Sequence, residues 1–257
     1  MHTALTIARS GHTVVATMRN LDKTPCARRR KPKASTSANL MSTRGLRGCL
    51  RAGRMGLRVH RRAHQHAGHG YIRSLEQTPM EEVQALFDVN FYGVVRCTRA
   101  VLPGRREQKS GHVFPISSVG GLVGQPMNEY YCACKFALEG LMKSLASYAQ
   151  PFFGVRVAII EPAGIATEFV NRVMSDVQQS RKIFNDAYAP MLGAYQRQMS
   201  QPECTSRTQA PQQVADVVRT CVEAERPHLR YPTSARARAF TRFKLYADET
   251  GDRGLAF

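Results

Sequence analysis

Tyr131 and Lys135 have the types and the spacing of a proton-transfer pair. Side chains four residues apart on a helix project from the same face, so the lysine ammonium can lie beside the tyrosine phenol. A nearby cation favours the ionised phenol, whose pKa is ordinarily about 10, and draws that pKa toward the working pH of a general acid or base. Without supporting residues, two half-buried helix positions would explain this spacing better.

Two polar residues upstream support the chemical interpretation. Ser118 lies thirteen residues before Tyr131, at the end of a predicted strand over residues 111–118, and its hydroxyl could hold and polarise a substrate oxygen. Asn90 lies further upstream, on a predicted amphipathic helix. Pro115 falls inside the predicted strand. Because proline has no amide donor, we expect it to distort the approach to Ser118.

The segments around these residues resemble the short-chain dehydrogenase/reductase family, most closely its 17-beta-hydroxysteroid dehydrogenase and retinol dehydrogenase branch. The resemblance is carried by residues 118–131 (SVGGLVGQPMNEYY), by Asn90 with the three residues after it (NFYG), and by residues 161–167 (EPAGIAT). It implies an α/β fold with a doubly wound parallel sheet of the Rossmann-like kind. The catalytic tetrad that it implies is Asn90, Ser118, Tyr131 and Lys135.

The same resemblance implies a reaction. Ser118 and Tyr131 bind the substrate carbonyl oxygen, a nicotinamide cofactor gives hydride to the carbon, and Tyr131 supplies the proton; oxidation runs in reverse. Lys135 lowers the tyrosine pKa and holds the nicotinamide ribose. Asn90 interrupts its helix, binds a water and connects the lysine to solvent. The expected substrate is a lipophilic secondary alcohol or ketone, steroid-like or retinoid-like.

The predicted cofactor is NADP(H), with NAD(H) the less favoured alternative. Arg19 follows a predicted strand over residues 13–17, where an acidic residue would bond the ribose of NAD and a cation would pair with the extra phosphate of NADP. A solvated turn arginine is the competing interpretation. The expected cofactor-binding residues are Arg19, Gly68, Asn90, Tyr131, Lys135, Pro162, Gly164, Ile165 and Thr167.

The first part of the chain departs from the family's pattern. Gly11 is the only glycine before Gly45, whereas the family has a first strand and a glycine-rich turn that binds pyrophosphate. We therefore expect a truncated N-terminus and a sheet that is incomplete at its first, third and fourth strands. The second functional hypothesis is accordingly a catalytically impaired pseudo-enzyme or a defective gene product.

Positive charge is concentrated in residues 24–66. The 257-residue chain carries a formal net charge of +18, and this stretch holds twelve Lys or Arg and no Asp or Glu, which leaves +6 elsewhere. Because hydrophobic periodicity is also lacking, we interpret residues 24–69 as an aberrant basic segment, read out of frame over about 24–66 or inserted as a disordered stretch. A third hypothesis is a polyanion-binding protein, but no nucleic-acid-binding motif supports it. The histidines lack zinc-site spacing, so no metal is expected.

The remaining features concern organisation and location. Residues 1–257 are expected to form one domain, with residues 169–200 as a substrate lid rich in apolar side chains. The helix that carries Tyr131 has an apolar stripe, which we expect to pack in the core or across a homodimer interface. Seven cysteines without paired spacing, no leader segment and no apolar run of about 18 residues predict a soluble, cytoplasmic protein without a membrane span.

Overall fold

Parallel strands position the predicted site. The computed structural model describes residues 2–12, 14–16, 34–36, 62–65, 68–70, 72–166, 187–201 and 208–246. The strands in these ranges are β1 (Val14–Ala16), β2 (Ala34–Thr36), β3 (Arg62–Gln65), β4 (Gly111–Pro115), β5 (Val155–Val157), β6 (Ile159–Glu161) and β7 (Arg230–Pro232). β3, β4 and β5 pair side by side in that order, and β6 pairs with β7. All of these pairings are parallel, as the resemblance predicted.

The strand that carries the serine lies in the middle of this arrangement. β6 follows β5 after the single residue Ala158, and a parallel bridge between Ile116 and Ile160 connects the end of β4 to β6. β4 therefore has β3 on one side and the β5–β6 line on the other. Its carboxyl end, where ligands of open parallel sheets bind, delivers the chain toward Ser118.

Two strands lie inside the segment that was expected to be aberrant. β2 pairs with β1, and β3 pairs with β4 in a register that matches Arg62 with His112 and Gln65 with Pro115. β2 and β3 are only three and four residues long, and the described strands fall into three separate sheets, so the expectation of an incomplete α/β sheet is confirmed. Strand pairing uses backbone amides and carbonyls, so a parallel edge can recruit a segment whose side chains show no hydrophobic pattern.

The helices cover both faces of the strands. They are α1 (His2–Arg9), α2 (Met80–Phe87), α3 (Gly93–Glu107), α4 (Glu129–Phe153), α5 (Ala189–Ser200), α6 (Pro211–Glu223) and α7 (Ala235–Tyr246). A π-helical turn, Asp88–Tyr92, joins α2 to α3, and a 3₁₀ turn, Val119–Gly121, follows β4. Part of the predicted lid is helical, since α5 lies within residues 169–200; residues 169–186 lie outside the described residues.

Alternation along the strands divides the core into two layers. On one face, Val113 of β4 and Ile159 of β6 pack with the buried leucines and methionine of α4. On the other, Phe114 and Ile160 pack against Val218 and its neighbours on α6. Because successive strand residues point to opposite faces, helices on both sides give the doubly wound α/β arrangement. Among the described residues, no helix combines the length and the apolar composition needed to cross a bilayer.

Candidate active site

The loop after β4 places Ser118 at the carboxyl end of the sheet. Ser118 has extended backbone, and its Oγ accepts a hydrogen bond from the Gly120 amide at 3.1 Å, which caps the 3₁₀ turn. The Ser117 amide donates to the Ile160 carbonyl at 2.8 Å, and the Ala158 amide donates to the Val113 carbonyl at 3.0 Å. These bonds lie on either side of Pro115. The expected distortion of the approach to Ser118 is therefore not seen in the backbone pairing, because the flanking bonds hold the alignment.

Helix α4 brings Tyr131 and Lys135 to this serine. The side chains of Tyr131 and Ser118 share a hydrogen bond. One turn later, the Lys135 Nζ lies 5.7 Å from the centre of the Tyr131 ring and donates to the carbonyl of Ile116 at 3.0 Å. Lys135 is buried. The predicted serine, tyrosine and lysine thus lie together at one end of β4.

The tyrosine pKa differs from the sequence prediction. Burial raises the pKa of Tyr131 to about 12; the hydrogen bond with Ser118 opposes this shift, and the adjacent Cys132 and Cys134 thiols add to it. Burial lowers the pKa of Lys135 to about 8. The expected lowering of the tyrosine pKa by the lysine is absent from this structure. The ammonium is bonded to the Ile116 carbonyl and lies over the phenol ring, so burial is the larger effect.

Asn90 occupies the π-helical turn between α2 and α3. Its side chain is fully buried; Oδ1 accepts from the amide of His69 at 2.8 Å, and Nδ2 donates to the carbonyl of His69 at 2.9 Å. Gly68 lies next to Asn90, since a Cβ added at this glycine would be 3.6 Å from Asn90 Oδ1. The predicted interruption of helix geometry at Asn90 is confirmed. Its role in a water relay stays a prediction.

The segment after β6 lies beside the serine loop. The carbonyl of Pro162 accepts from the amide of Val119 at 3.0 Å, which joins the two loops at the same edge of the sheet. Residue Gln209 holds the next part of the segment: its amide donates to the carbonyl of Gly164 at 2.8 Å, and Ile165 forms a parallel bridge with it. The structure thus brings Pro162, Gly164 and Ile165 to the end of the strand that neighbours Ser118.

Comparison with known proteins assigns the family. The profile of the family described as short chain dehydrogenase matches residues 64–178. The chain is 36% identical over 190 residues to estradiol 17-beta-dehydrogenase 1 of Rattus norvegicus, covering 74% of this chain and 53% of that protein. It is 32% identical over 246 residues to retinol dehydrogenase 8 of Bos taurus, covering 89% of this chain and 74% of that protein. The chain belongs to the short-chain dehydrogenase family.

Solved structures support the same assignment. A short-chain dehydrogenase from Streptomyces avermitilis superimposes with a TM-score of 0.75 at 25% identity, covering 100% of this chain and 93% of the other. A short-chain dehydrogenase from Sphingobium yanoikuyae, solved in complex with NADPH, has the same fold at a TM-score of 0.70 and 20% identity, covering 93% and 86%. The chain spans about half the length of the rat relative.

A buried ionic cluster in this short-chain dehydrogenase was missed by the sequence reasoning. Arg230 of β7 donates from Nε to Glu161 Oε1 at 2.8 Å, and its Nη2 lies 3.5 Å from Glu139 Oε2. The two carboxylates come from β6 and α4, and both are buried. Lys143 Nζ lies 3.6 Å from the same oxygen of Glu139. The available signal was Glu139 itself, a charged residue within the apolar stripe of the Tyr131 helix.

Gly121 sets the separation between the 3₁₀ turn and α4. A Cβ at this position would lie 2.9 Å from the carbonyl oxygen of Lys135 and 3.0 Å from both Glu139 Cγ and Ser117 Oγ. These distances are shorter than real Cβ contacts allow without movement of a neighbour. The turn that begins at Ser118 therefore rests directly on the backbone of the helix that carries Lys135.

Some predicted site residues are not placed. Arg19 and Thr167 lie outside the described residues, so their proposed contacts with a cofactor remain predictions. Within the described ranges, no group of three or more His, Cys, Asp or Glu side chains could hold a metal ion. The structure brings Ser118, Tyr131 and Lys135 together beside the Pro162 loop, and Asn90 lies in the π-helical turn that contacts helix α4.

Proposed function

We propose that this chain is an NADP(H)-dependent oxidoreductase that interconverts a lipophilic secondary alcohol and ketone. The observation that carries the proposal is the hydrogen bond between Ser118 and Tyr131 at the carboxyl end of β4, one helical turn from Lys135. Two hydroxyls that already lie within hydrogen-bonding distance of each other can converge on one substrate oxygen.

Each hydroxyl has a distinct part in the proposed reaction. In the direction of reduction, Ser118 donates a hydrogen bond to the carbonyl oxygen, and Tyr131 transfers its proton to that oxygen. The nicotinamide, when bound, supplies the hydride that the carbonyl carbon takes up, so a proton and a hydride together convert the ketone to the alcohol. With a pKa of about 12, Tyr131 keeps its proton at neutral pH, which is the form that a proton donor needs.

The described residues fit the nicotinamide half of the cofactor. Lys135 is a buried donor beside the catalytic hydroxyl, and the loop that contains Pro162, Gly164 and Ile165 lies at the adjoining strand end. We assign Lys135 to the ribose and this loop to the carboxamide. Asn90 is buried and bonds the backbone of His69, next to Gly68. Thr167 would complete the set.

The preference for NADP(H) rests on Arg19. A guanidinium can form a bidentate pair with the 2′-phosphate that distinguishes NADP from NAD. The dehydrogenase from Sphingobium yanoikuyae, which has the same fold, was solved in complex with NADPH.

The proposed substrate is lipophilic, steroid-like or retinoid-like. The curated relatives include proteins named for estradiol and for retinol. In this chain, Leu192 of α5 is buried against Met127, in the loop that leads into α4. Met191, its neighbour on α5, is 43% exposed. Flexible apolar side chains next to the site loop suit a ligand with a large apolar surface.

A homodimer through α4 is part of the proposal. Three aromatic side chains of this helix, Phe136, Tyr148 and Phe152, are exposed, the last of them at 76%. Exposed aromatic residues on one helix are typical of a surface that pairs with a partner. A second copy of the chain would bury them.

Equilibrium titration of the purified full-length chain with NADPH tests the proposal. We expect micromolar affinity by fluorescence, weaker binding of NADH, and loss of the preference in Arg19→Ala. The matched control is Arg9→Ala, which removes an exposed arginine at the end of α1. Absence of measurable NADPH binding would overturn the proposal in favour of a catalytically impaired family member. Strong, steeply salt-dependent binding of nucleic acid instead would favour the polyanion-binding hypothesis.

A further inference from the structure

The charged groups behind Lys135 form a set that the proposed reaction does not use directly. Glu139 lies one helical turn after Lys135 on α4, and its side chain is only 2% exposed. Glu161, on β6 just before the Pro162 loop, is fully buried. Arg230 contacts both carboxylates, so residues from three elements meet behind the catalytic lysine.

The hydrogen-bond partner of the Lys135 ammonium carries no charge. Nζ donates to the backbone carbonyl of Ile116, and the nearest ring is the neutral phenol of Tyr131. Burying an ammonium with only neutral partners disfavours its charged form. A carboxylate close to the helix face of Lys135 would counteract this effect.

Glu139 is the carboxylate in the right place. Burial lowers the pKa of Lys135, whereas the charges of Cys134 and Glu139 raise it. Burial also raises the pKa of Cys134 to about 12, so this thiol stays neutral over the range in which Lys135 titrates. Glu139, one helical turn away and buried, is therefore the remaining group whose charge would raise the pKa of Lys135.

Nearby acidic groups on the elements packed against α4 are paired elsewhere. Asp88 of the π-helical turn forms an ion pair with Arg96 at 2.8 Å, and Glu82 of α2 forms one with Arg73 at 2.7 Å. All four of these side chains are partly or largely exposed. They leave Glu139 as the buried carboxylate nearest in sequence to Lys135 on its own helix.

The position of Glu139 is fixed, but its contacts with the neighbouring cations are long. Oε2 lies 3.5 Å from Arg230 and 3.6 Å from Lys143, both longer than the 2.8 Å contact that Arg230 makes with Glu161. Oε1 is buried and has no hydrogen-bond partner among the described residues. The guanidinium thus acts mainly on Glu161 and anchors Glu139 more loosely.

We propose that Glu139 is a positioning residue, which Arg230 anchors and whose carboxylate is the counter-charge that keeps Lys135 an ammonium beside Tyr131. The inference deepens the proposed function, since it explains how the lysine of that site would hold its charge. It also connects β7, far along the chain, to the proton-transfer site through a single guanidinium.

A titration of Lys135 itself tests this inference in the intact chain without cofactor or substrate. The protein is labelled with ¹³C at lysine Cε and observed by NMR. The Lys135 resonance is the one missing from the spectrum of Lys135→Arg. We expect a midpoint near 8 in the unmodified protein. In Glu139→Gln we expect the midpoint to fall by about one pH unit, because an opposite charge at this range is removed. Glu107→Gln, an exposed carboxylate at the end of α3, is the matched control and should leave the midpoint unchanged.

Glu139→Asp provides a second test in case Glu139→Gln does not fold. Aspartate keeps the carboxylate but places it further from Lys135, so the midpoint of the Lys135 titration should fall by less than in Glu139→Gln. A folded variant of either kind whose Lys135 midpoint equals that of the unmodified protein would overturn the inference. Because the measurement needs no NADPH, failure of NADPH to bind would count against the proposed function alone.

Discussion

Helix α4 passes two buried polar regions that are built in opposite ways. Around Tyr131 and Lys135, hydroxyl groups and a backbone carbonyl supply hydrogen bonds, and no carboxylate among the described residues forms an ion pair with the ammonium. Around Glu139 and Glu161, the arginine of β7 supplies ion pairs. In the first region the ammonium is hydrogen-bonded to a neutral group, whereas in the second the charged groups form ion pairs across three elements.

The difference suits the role that we propose for each region. Groups that exchange protons must change charge easily, and neutral partners allow this because neither charge state leaves a bonded ion behind. Groups that hold elements together are more useful as pairs, since breaking a buried pair leaves an uncompensated charge. In this chain the paired region lies directly behind the unpaired one, on the same helix.

The largest expected effect is at the unpaired region, on replacing Tyr131 by Phe. Turnover with NADPH and a steroid ketone should fall by about 10³-fold, because the proton donor is lost. NADPH affinity and the free energy of unfolding should change little. Tyr130→Phe is the control, since the adjacent hydroxyl donates to the carbonyl of Leu75 outside the site. Undiminished turnover in Tyr131→Phe would remove the basis for the catalytic assignment.

At the paired region, Arg230→Met should cost about 3 to 5 kcal/mol in the free energy of unfolding. The variant leaves two buried carboxylates without their shared guanidinium. Urea denaturation measures the change. Adding Glu161→Gln to Arg230→Met should restore part of the loss, because one of the stranded charges is removed. A single variant as stable as the unmodified protein would show that the cluster does not hold the elements together.

The pH dependence of stability should differ in sign between the regions. Burial, with the charge of Glu139, raises the pKa of Glu161 from 4.5 to about 7. Between these values the folded state binds more protons than the unfolded state, so stability falls as pH rises. For Lys135 the pKa is lowered from 10.5 to about 8, so the unfolded state binds more protons in that window, and stability rises with pH.

Each slope is at most about 1.4 kcal/mol per pH unit for one group. Urea midpoints collected from pH 4.5 to 10 measure both. Glu161→Gln should remove the fall in stability between pH 4.5 and about 7, which we call the lower limb, and leave the rise between about 8 and 10.5 unchanged. Lys135→Met should remove that rise and leave the lower limb unchanged. A lower limb that persists in Glu161→Gln would contradict the assignment of that titration.

The smallest effect is expected for Asn90→Ala, which should lower the free energy of unfolding by about 1 to 3 kcal/mol. The reason is that the amide and carbonyl of His69 lose their side-chain partner. Hydrogen exchange at the His69 amide should accelerate. Asn128→Ala, which removes a single 3.2 Å bond to the carbonyl of Pro126, should cost less. Equal losses in the two variants would mean that the double contact of Asn90 adds nothing.

Local patterns allowed the unpaired region to be predicted from the sequence. Tyr131 and Lys135 are close in sequence, and the segments around Ser118 and Asn90 have recognisable neighbours. Periodicity also indicated the helices and strands on which they lie, and the family resemblance implied the parallel pairing of β4. These features depend on residues a few positions apart, so they can be predicted without knowledge of how the chain packs.

The paired region could not be predicted in this way. Glu139, Glu161 and Arg230 are distant in sequence, and their contact exists only because α4, β6 and β7 pack together. The pKa of Tyr131 was also predicted with the wrong sign, because burial is a property of the whole fold. The short strands at 34–36 and 62–65 lie in a segment without a hydrophobic pattern, because strand pairing uses backbone groups.

The close contact at Gly121 has a consequence for the precision of the site. Any side chain there would force its neighbours to yield by several tenths of an ångström, and those neighbours include the backbone of the helix that carries the lysine. A shift of that size is comparable to the difference between a good hydrogen bond and a poor one. The absence of a side chain at Gly121 thus lets the serine loop pack directly against the helix that carries Lys135.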